Sequence, residues 1–282
     1  MGIIFAFASA CLYAISILVS KVSVDKTKSP LAVGVIFQIL AGLVSLLFFF
    51  FDKPEVINNN WTSWVLLLAA CFGWASFTVF RFEAMKMLEV SVANLVGQLS
   101  LLFTFFASAL LFREEVTVFK LAGIALLLVG NVVLIGKAWK NKTVNRKGVK
   151  LQILASVVYT IALMLDASNS ANFSVSLYAF FAYFLGGLFM IPLARVSIKE
   201  IRSEIKTNWK SQLIMGIFSA TGYYLLIKAF ALAEKTVIVP VNNLGTVIVV
   251  ILGIIFLKEI KDVKRKIFAA VLAFAGAVLL SI

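Results

Sequence analysis

Apolar runs long enough to cross a bilayer recur along this chain, and they constrain its fold more than any other feature. A hydrocarbon core needs about 20 mostly apolar residues in helical form, because a backbone amide or carbonyl left unpaired in lipid costs several kcal/mol. Such runs lie near residues 2–21, 31–51, 62–84, 91–112, 117–136, 149–167, 174–193, 209–230, 235–256 and 263–281. The pattern predicts an all-α polytopic membrane protein with ten transmembrane helices. Composition agrees, since only 14% of the residues are charged, against about 25% in a soluble domain. The first run has no basic region before it and no clear small-residue cleavage site after it, so it reads as a membrane helix rather than an export signal.

The residue inventory removes most chemistry. Histidine is absent, and Cys11 and Cys71 lie far apart within apolar runs, which leaves no thiolate zinc site and no disulfide framework. There is no HExxH motif, no GxSxG elbow and no GxxxxGK[ST] loop. The longest connections, Gly136 to Gly148 and Arg195 to Trp209, are too short for a soluble catalytic domain. The expectation is a protein that is not an enzyme and carries no cofactor or metal. A channel would need a recognisable filter loop, and none is present.

Charge sets an orientation and a partner. Of the 26 basic residues, twenty-one fall in the connections after the odd-numbered spans, against Lys53, Arg113, Lys120, Lys228 and Lys235 on the other side. Basic residues favour the cytoplasmic side, so both termini are expected outside. The formal charge of +13 is then met by anionic headgroups rather than by nucleic acid.

A repeat of 145 residues is visible. Ala84, Glu89, Glu114 and Ala125 recur as Ala229, Glu234, Glu259 and Ala270, and Gly42 recurs as Gly187, each 145 positions on. The chain divides into a first five-helix unit at 1–136, a basic connection at 137–148 and a second unit at 149–282. An odd number of spans per unit inverts the second copy, the arrangement on which many secondary transporters are built.

Glu83-Ala84-Met85-Lys86, the run from Ser91 to Phe112, Arg113-Glu114 and the span from Leu121 to Leu134 are followed by a second copy. That copy comprises Lys228-Ala229-Phe230-Ala231, the run from Thr236 to Leu257, Lys258-Glu259 and the span from Ala269 to Leu280. In these features the chain resembles the EamA-type branch of the drug/metabolite transporter superfamily, over essentially its whole length. The resemblance implies ten helices in two inverted repeats and carriage of amino acids, sugars, nucleotide conjugates or drugs in the cytoplasmic membrane. Related carriers often place an arginine four residues before Gly42, where this chain has Gln38, with Tyr183 in the second half. They often carry proline where this chain has Leu101 and Thr246. Those departures point away from the branches with anionic substrates.

Polar residues near mid-span are the cavity candidates, since amides and phenols bind a polar solute at a smaller desolvation cost than a charge. In the first half these are Tyr13, Ser16, Gln38, Trp74, Asn94 and Gln98. In the second they are Tyr159, Tyr183, Tyr223, Tyr224, Asn242 and Asn243. Gln98 and Asn243 are repeat equivalents, which places amides on both halves around a centre. Glu83, Asp166 and Glu234 are candidates for energy coupling, whereas Asp166, Lys228 and Arg81 sit near expected span ends, from which they snorkel to the interface. Glu114 and Glu259 each precede a helix closely and read as structural caps of that next helix. Gly123, Gly130 and the run Ala269 to Gly276 form a small-residue surface for packing between the halves, with a homodimer as the second reading. The functional expectation is a secondary transporter moving a small polar metabolite, an amino acid or related compound, by alternating access; the alternative is a membrane channel or a receptor-like structural protein.

Overall fold

A computed structural model of the chain describes residues 1–112, 116–140, 145–232 and 235–280. Glu114 and Glu234 lie outside the described residues, as does the side chain of Asn243. The elements are α1 (Gly2–Lys26), α2 (Pro30–Ser45) with a 3₁₀ turn at Leu46–Phe50, α3 (Trp61–Met87), α4 (Val90–Gly97), α5 (Leu99–Phe112) and α6 (Val118–Lys140). There follow α7 (Arg146–Asn169) with a 3₁₀ turn at Ser170–Asn172, α8 (Val175–Leu193), α9 (Ile198–Leu232), α10 (Lys235–Phe256) and α11 (Val263–Leu280). The chain is an all-α, multi-pass helical bundle.

Among the described residues six segments are long and apolar enough to cross a membrane: Gly2–Lys26, Pro30–Phe50, Trp61–Met87, Val90–Ala107, Arg146–Asn172 and Val175–Leu193. Within α6 and α10 the stretches Val118–Val133 and Leu244–Phe256 are also apolar. The first part of α9, from Lys199 to Lys210, is charged, and α11 opens on Lys264, Arg265 and Lys266.

Local chemistry fixes the helix ends. Pro30 begins α2, where its missing N–H costs nothing. The Asn60 side chain accepts the Ser63 N–H at 2.7 Å to start α3, and Asn145 accepts that of Gly148 at 3.0 Å to start α7. α9 opens on a capping box in which Ser197 donates its N–H (2.9 Å) and hydroxyl (2.7 Å) to Glu200. Those bonds, with one from Ser29, hold the Glu200 carboxyl below the usual carboxylate range.

The fourth expected span is broken in two. The break at Gln98 has 3₁₀-type bonds, Gln98 N–H to Leu95 O at 3.1 Å and Leu101 N–H to Gln98 O at 3.0 Å. Carbonyls at the break find partners on α7: Ser156 donates to Gly97 O at 3.3 Å and Thr160 to Ser100 O at 3.2 Å. A discontinuous helix survives at membrane depth where neighbours satisfy its backbone in this way.

Small residues fill the interior and large ones face outward. On α1, Ala6, Ser9, Ala10, Ala14 and Ser16 are buried, while Ile3, Ile4 and Phe7 are exposed. Lipid is as apolar as a leucine side chain, so helices associate through close approach and hydrogen bonds rather than through apolar burial. The main packing runs between the halves of the chain: α1 on α9 and α10, α3 on α7 and α8, α2 on α8 and α9, and α6 on α11. Gly130 meets Ala269 and Leu272, and Gly276 meets Gly123, so the expected small-residue surface is used within the chain.

The crossing of α2 and α8 is tight from both sides. A Cβ on Gly42 would lie 2.8 Å from the Phe184 amide nitrogen, and one on Gly187 would lie 2.7 Å from Ile39 Cγ1. Gly222, by contrast, has only ordinary contacts at 3.5 Å with Ser9, Leu12 and Tyr13. Gly42→Ala is therefore expected to destabilise the bundle by about 1–3 kcal/mol through overpacking, whereas Gly222→Ala is neutral or gains up to ~1 kcal/mol of helix propensity. Thermal unfolding of the detergent-solubilised variants separates the two.

Candidate functional site

Helical spacing on α3 places Trp74, Phe77 and Arg81, at i, i+3 and i+7, on one face. That face meets Tyr159 of α7: the Trp74 and Phe77 ring centroids lie 5.4 and 5.3 Å from that of Tyr159. The Arg81 guanidinium sits over the Phe77 ring at 5.5 Å. It is within electrostatic range of Tyr159, Tyr183 and Tyr13. Tyr183 of α8 in turn packs on Tyr223 of α9 at 6.0 Å and on Phe37 of α2 at 6.2 Å, and Tyr13 of α1 stands beside it. Each of these phenols is half-buried, and together they form an aromatic cluster between the two halves of the chain.

Four expected cavity residues thus converge: Tyr13, Tyr159, Tyr183 and Tyr223. Trp74 borders the same cluster but commits its indole N–H to Asp166 at 2.9 Å. Asp166 does not snorkel. It is buried, and it also accepts the Tyr178 hydroxyl at 2.7 Å, tying α3, α7 and α8 together. Arg81 is half-buried, and α3 runs on past it to Met87. The missed signal was the shared face with Trp74 and Phe77.

Other candidates spend their polar groups on neighbouring helices. Ser16 donates to Met215 O at 3.2 Å. Gln38 donates to Thr78 Oγ1 at 2.6 Å and Trp74 O at 3.4 Å. Gln98 donates to Thr246 of α10. Tyr224 lies elsewhere, stacked on Phe48 at 4.5 Å beneath the Lys228 ammonium. Asn94, Asn242 and Glu83 are half-buried. The Asn242 Oδ1 is buried without a hydrogen bond among the described residues.

A second polar cluster closes one end of the bundle. Glu259 was expected to cap the helix that follows it, α11; its carboxylate instead accepts the Val90 N–H at 2.5 Å, the Ser91 N–H at 3.2 Å and the Ser91 hydroxyl, all at the start of α4. The cause is the turn after α10. Lys258 adopts φ 55° and the Glu259 N–H reaches Gly253 O at 3.2 Å, which swings the side chain back across the bundle. Lys266 is 2% exposed; its ammonium lies 2.7 Å from Glu89 and 3.4 Å from Glu259. Nearby, Lys21 bonds Asp25 and Met85 O, each at 2.7 Å, and Lys86 donates to the carbonyls of Val24, Asp25 and Thr27. These groups surround a cavity of about 340 Å³. Lys21 and Lys266, counted with the connections in the charge pattern, are buried side chains.

The chain is a multi-pass helical bundle in which aromatic side chains of both halves converge. The sequence matches the EamA-like transporter family over residues 1–136 and 146–282, and the chain belongs to that family. A protein of known crystal structure, described only as a protein, shares the fold with a TM-score of 0.66 at 18% identity, over 99% of this chain and 95% of that one. No curated protein matches the sequence.

Glu259→Gln keeps the shape but removes the charge from the cap on α4. Charge-assisted hydrogen bonds contribute roughly 1.5–3 kcal/mol each, so the variant is expected to unfold at lower temperature while the order of preference among carried solutes stays unchanged. Normal stability with altered selectivity would contradict a structural role.

Proposed function

We propose that this protein is a secondary transporter that carries a small polar metabolite, such as an amino acid or related compound, across the cytoplasmic membrane by alternating access. Ten spans in two inverted five-helix repeats, 1–136 and 149–282 joined by the basic segment 137–148, provide the moving parts. Both termini face outward, and the lysine-rich connections face the cytoplasm.

The observation that carries this reading is the reciprocity of the packing under the 145-residue shift. Gly42 against Phe184 and Gly187 against Ile39 exchange into each other when 145 is added to or subtracted from each number. So do Gly216 against Ala41 and Gly186 against Cys71. At the level of whole helices, α1 on α9 is answered by α7 on α3, and α2 on α9 by α8 on α3. Two like units packed antiparallel supply two conformers related by exchange of their roles, which is the basis of alternating access. Two matched stretches of one family support the same division. The aromatic cluster between the halves, formed by Tyr13, Tyr159, Tyr183 and Tyr223, is the binding site in this reading, and a homodimer is not required for it.

Counterflow tests the function. Proteoliposomes preloaded with unlabelled amino acids and related metabolites, then challenged with individual labelled solutes, are expected to show a transient overshoot for the carried compound that empty vesicles lack. A receptor or structural protein gives no overshoot, and a channel dissipates the gradient without one. Glu83 and Asp166 are the described candidates for proton coupling. If collapse of the proton gradient leaves both initial rate and final accumulation unchanged, neither carries that role.

A further inference from the structure

The aromatic cluster holds a half-buried cation without a counterion among the described residues. Among the described residues no hydrogen bond or ion pair reaches the Arg81 guanidinium; its neighbours are the Phe77 ring and the phenols of Tyr13, Tyr159 and Tyr183. Arginine stays charged in any protein environment and presents a planar fork of donors that matches a carboxylate. An unpaired ion inside a bundle is costly and persists where a ligand uses it. The acidic group within range of these phenols, Asp166, makes no ion pair with Arg81; its oxygens accept from Trp74 and Tyr178. The repeat equivalent of Arg81 is Leu226, so the second half supplies no charge at the matching position.

Building on the transport reading, we infer that Arg81 is the anchor for the carboxylate of the cargo, and that the cargo is an organic monocarboxylate with an aromatic or apolar body. The carboxylate takes the guanidinium fork. The Tyr159 hydroxyl, which bonds no other described residue, is placed to donate beside it, and the rings of Trp74, Phe77 and Tyr159 face the body. An amine of the same shape meets an uncompensated like charge, and an amide offers its carbonyl oxygen to the guanidinium but no charge to compensate it.

The test compares 3-phenylpropionate, phenylacetate and benzoate, each with its amide and its amine counterpart, by thermal shift of the purified full chain in detergent. At least one carboxylate is expected to raise the unfolding midpoint, with its amide and amine inert. Arg81→Gln weakens that response roughly 10- to 100-fold, the span of a lost charge-assisted pair. Without ligand its midpoint matches or exceeds that of the wild type, an outcome that a merely structural arginine would reverse. Arg81→Lys keeps the order carboxylate over amide at reduced strength, and serves should the glutamine variant misfold. Amides as effective as the acids, no response to any acid, or an acid response intact in Arg81→Gln each overturn the assignment. Counterflow separates the two levels of the argument. A carried solute lacking a carboxylate, unaffected by Arg81→Gln, leaves the transporter and removes the anchor; an Arg81-dependent thermal shift without any exchange leaves the anchor and removes the transporter.

Discussion

Every polar group held at membrane depth must find its partner within the chain, because the surrounding lipid offers none, and this requirement organises the bundle. It decides where a helix can break. Gln98 interrupts the fourth rod only where Ser156 and Thr160 reach the carbonyls at the break and Thr246 takes the glutamine side chain. It also decides what holds the helices together. Ser9 and Ser16 bond the α9 carbonyls of Gly222 and Met215, and Asp166 gathers Trp74 and Tyr178. Each such bond contributes on average only about 0.6 kcal/mol, but many of them, with close approach at Gly42 and Gly187, replace the apolar core of a soluble protein.

The same requirement makes the end cluster expensive and informative. Lys266 and Glu259 are almost wholly buried, and removing either partner of such a pair costs about 3–5 kcal/mol by leaving the other charge unmatched. The pair belongs to the second half of the chain, yet its contacts with Glu89, Val90 and Ser91 lie in the first. Any motion of one half against the other must therefore strain or exchange these bonds. The bridge between Val56 and Phe173, with Ile57 N–H on Asn172 O at 2.8 Å and Ser174 N–H on Glu55 O at 2.8 Å, joins the α2–α3 and α7–α8 connections.

The fold was largely legible because hydropathy and small-residue positions act through the simplest physics. Apolar runs located every helical rod, and Gly42, Gly187, Gly123 and Gly276 marked the close crossings. The site was legible only in part, because mid-span polarity does not reveal which way a group spends its hydrogen bonds. Tyr13, Tyr159, Tyr183 and Tyr223 converge, whereas Ser16, Gln38 and Gln98 serve as joints between helices; all seven look alike in a linear sequence. Glu259 was read correctly as a capping group but given to the helix next in sequence, since nothing local signals that its turn points it across the bundle to α4. Arg81 was read only as lying near a span end, and the face it shares with Trp74 and Phe77, which brings it over the Phe77 ring, was not drawn from the spacing.

A scaffold of matching halves need not give a matching site, and the aromatic cluster demonstrates how the two separate. Shifted by 145 positions, Gln38, Trp74 and Thr78 become Tyr183, Ser219 and Tyr223. The contacts survive the change of side chain: Gln38 bonds Thr78 and the Trp74 carbonyl, while Tyr183 packs on Tyr223 and bonds both the Ser219 hydroxyl (3.1 Å) and its carbonyl (3.4 Å). One half thus presents a small amide and hydroxyl cluster where the other presents two phenols. Backbone approach is set by small residues, Gly42 and Gly187 in equivalent places and Gly186 and Gly216 answered by Ala41 and Cys71, and so tolerates this divergence. Recognition is set by what projects from equivalent frames, and there the halves differ most: a guanidinium at Arg81 faces the second half's phenols, with Leu226 in the corresponding place. Packing between the halves can then stay matched while the side chains that meet between them differ.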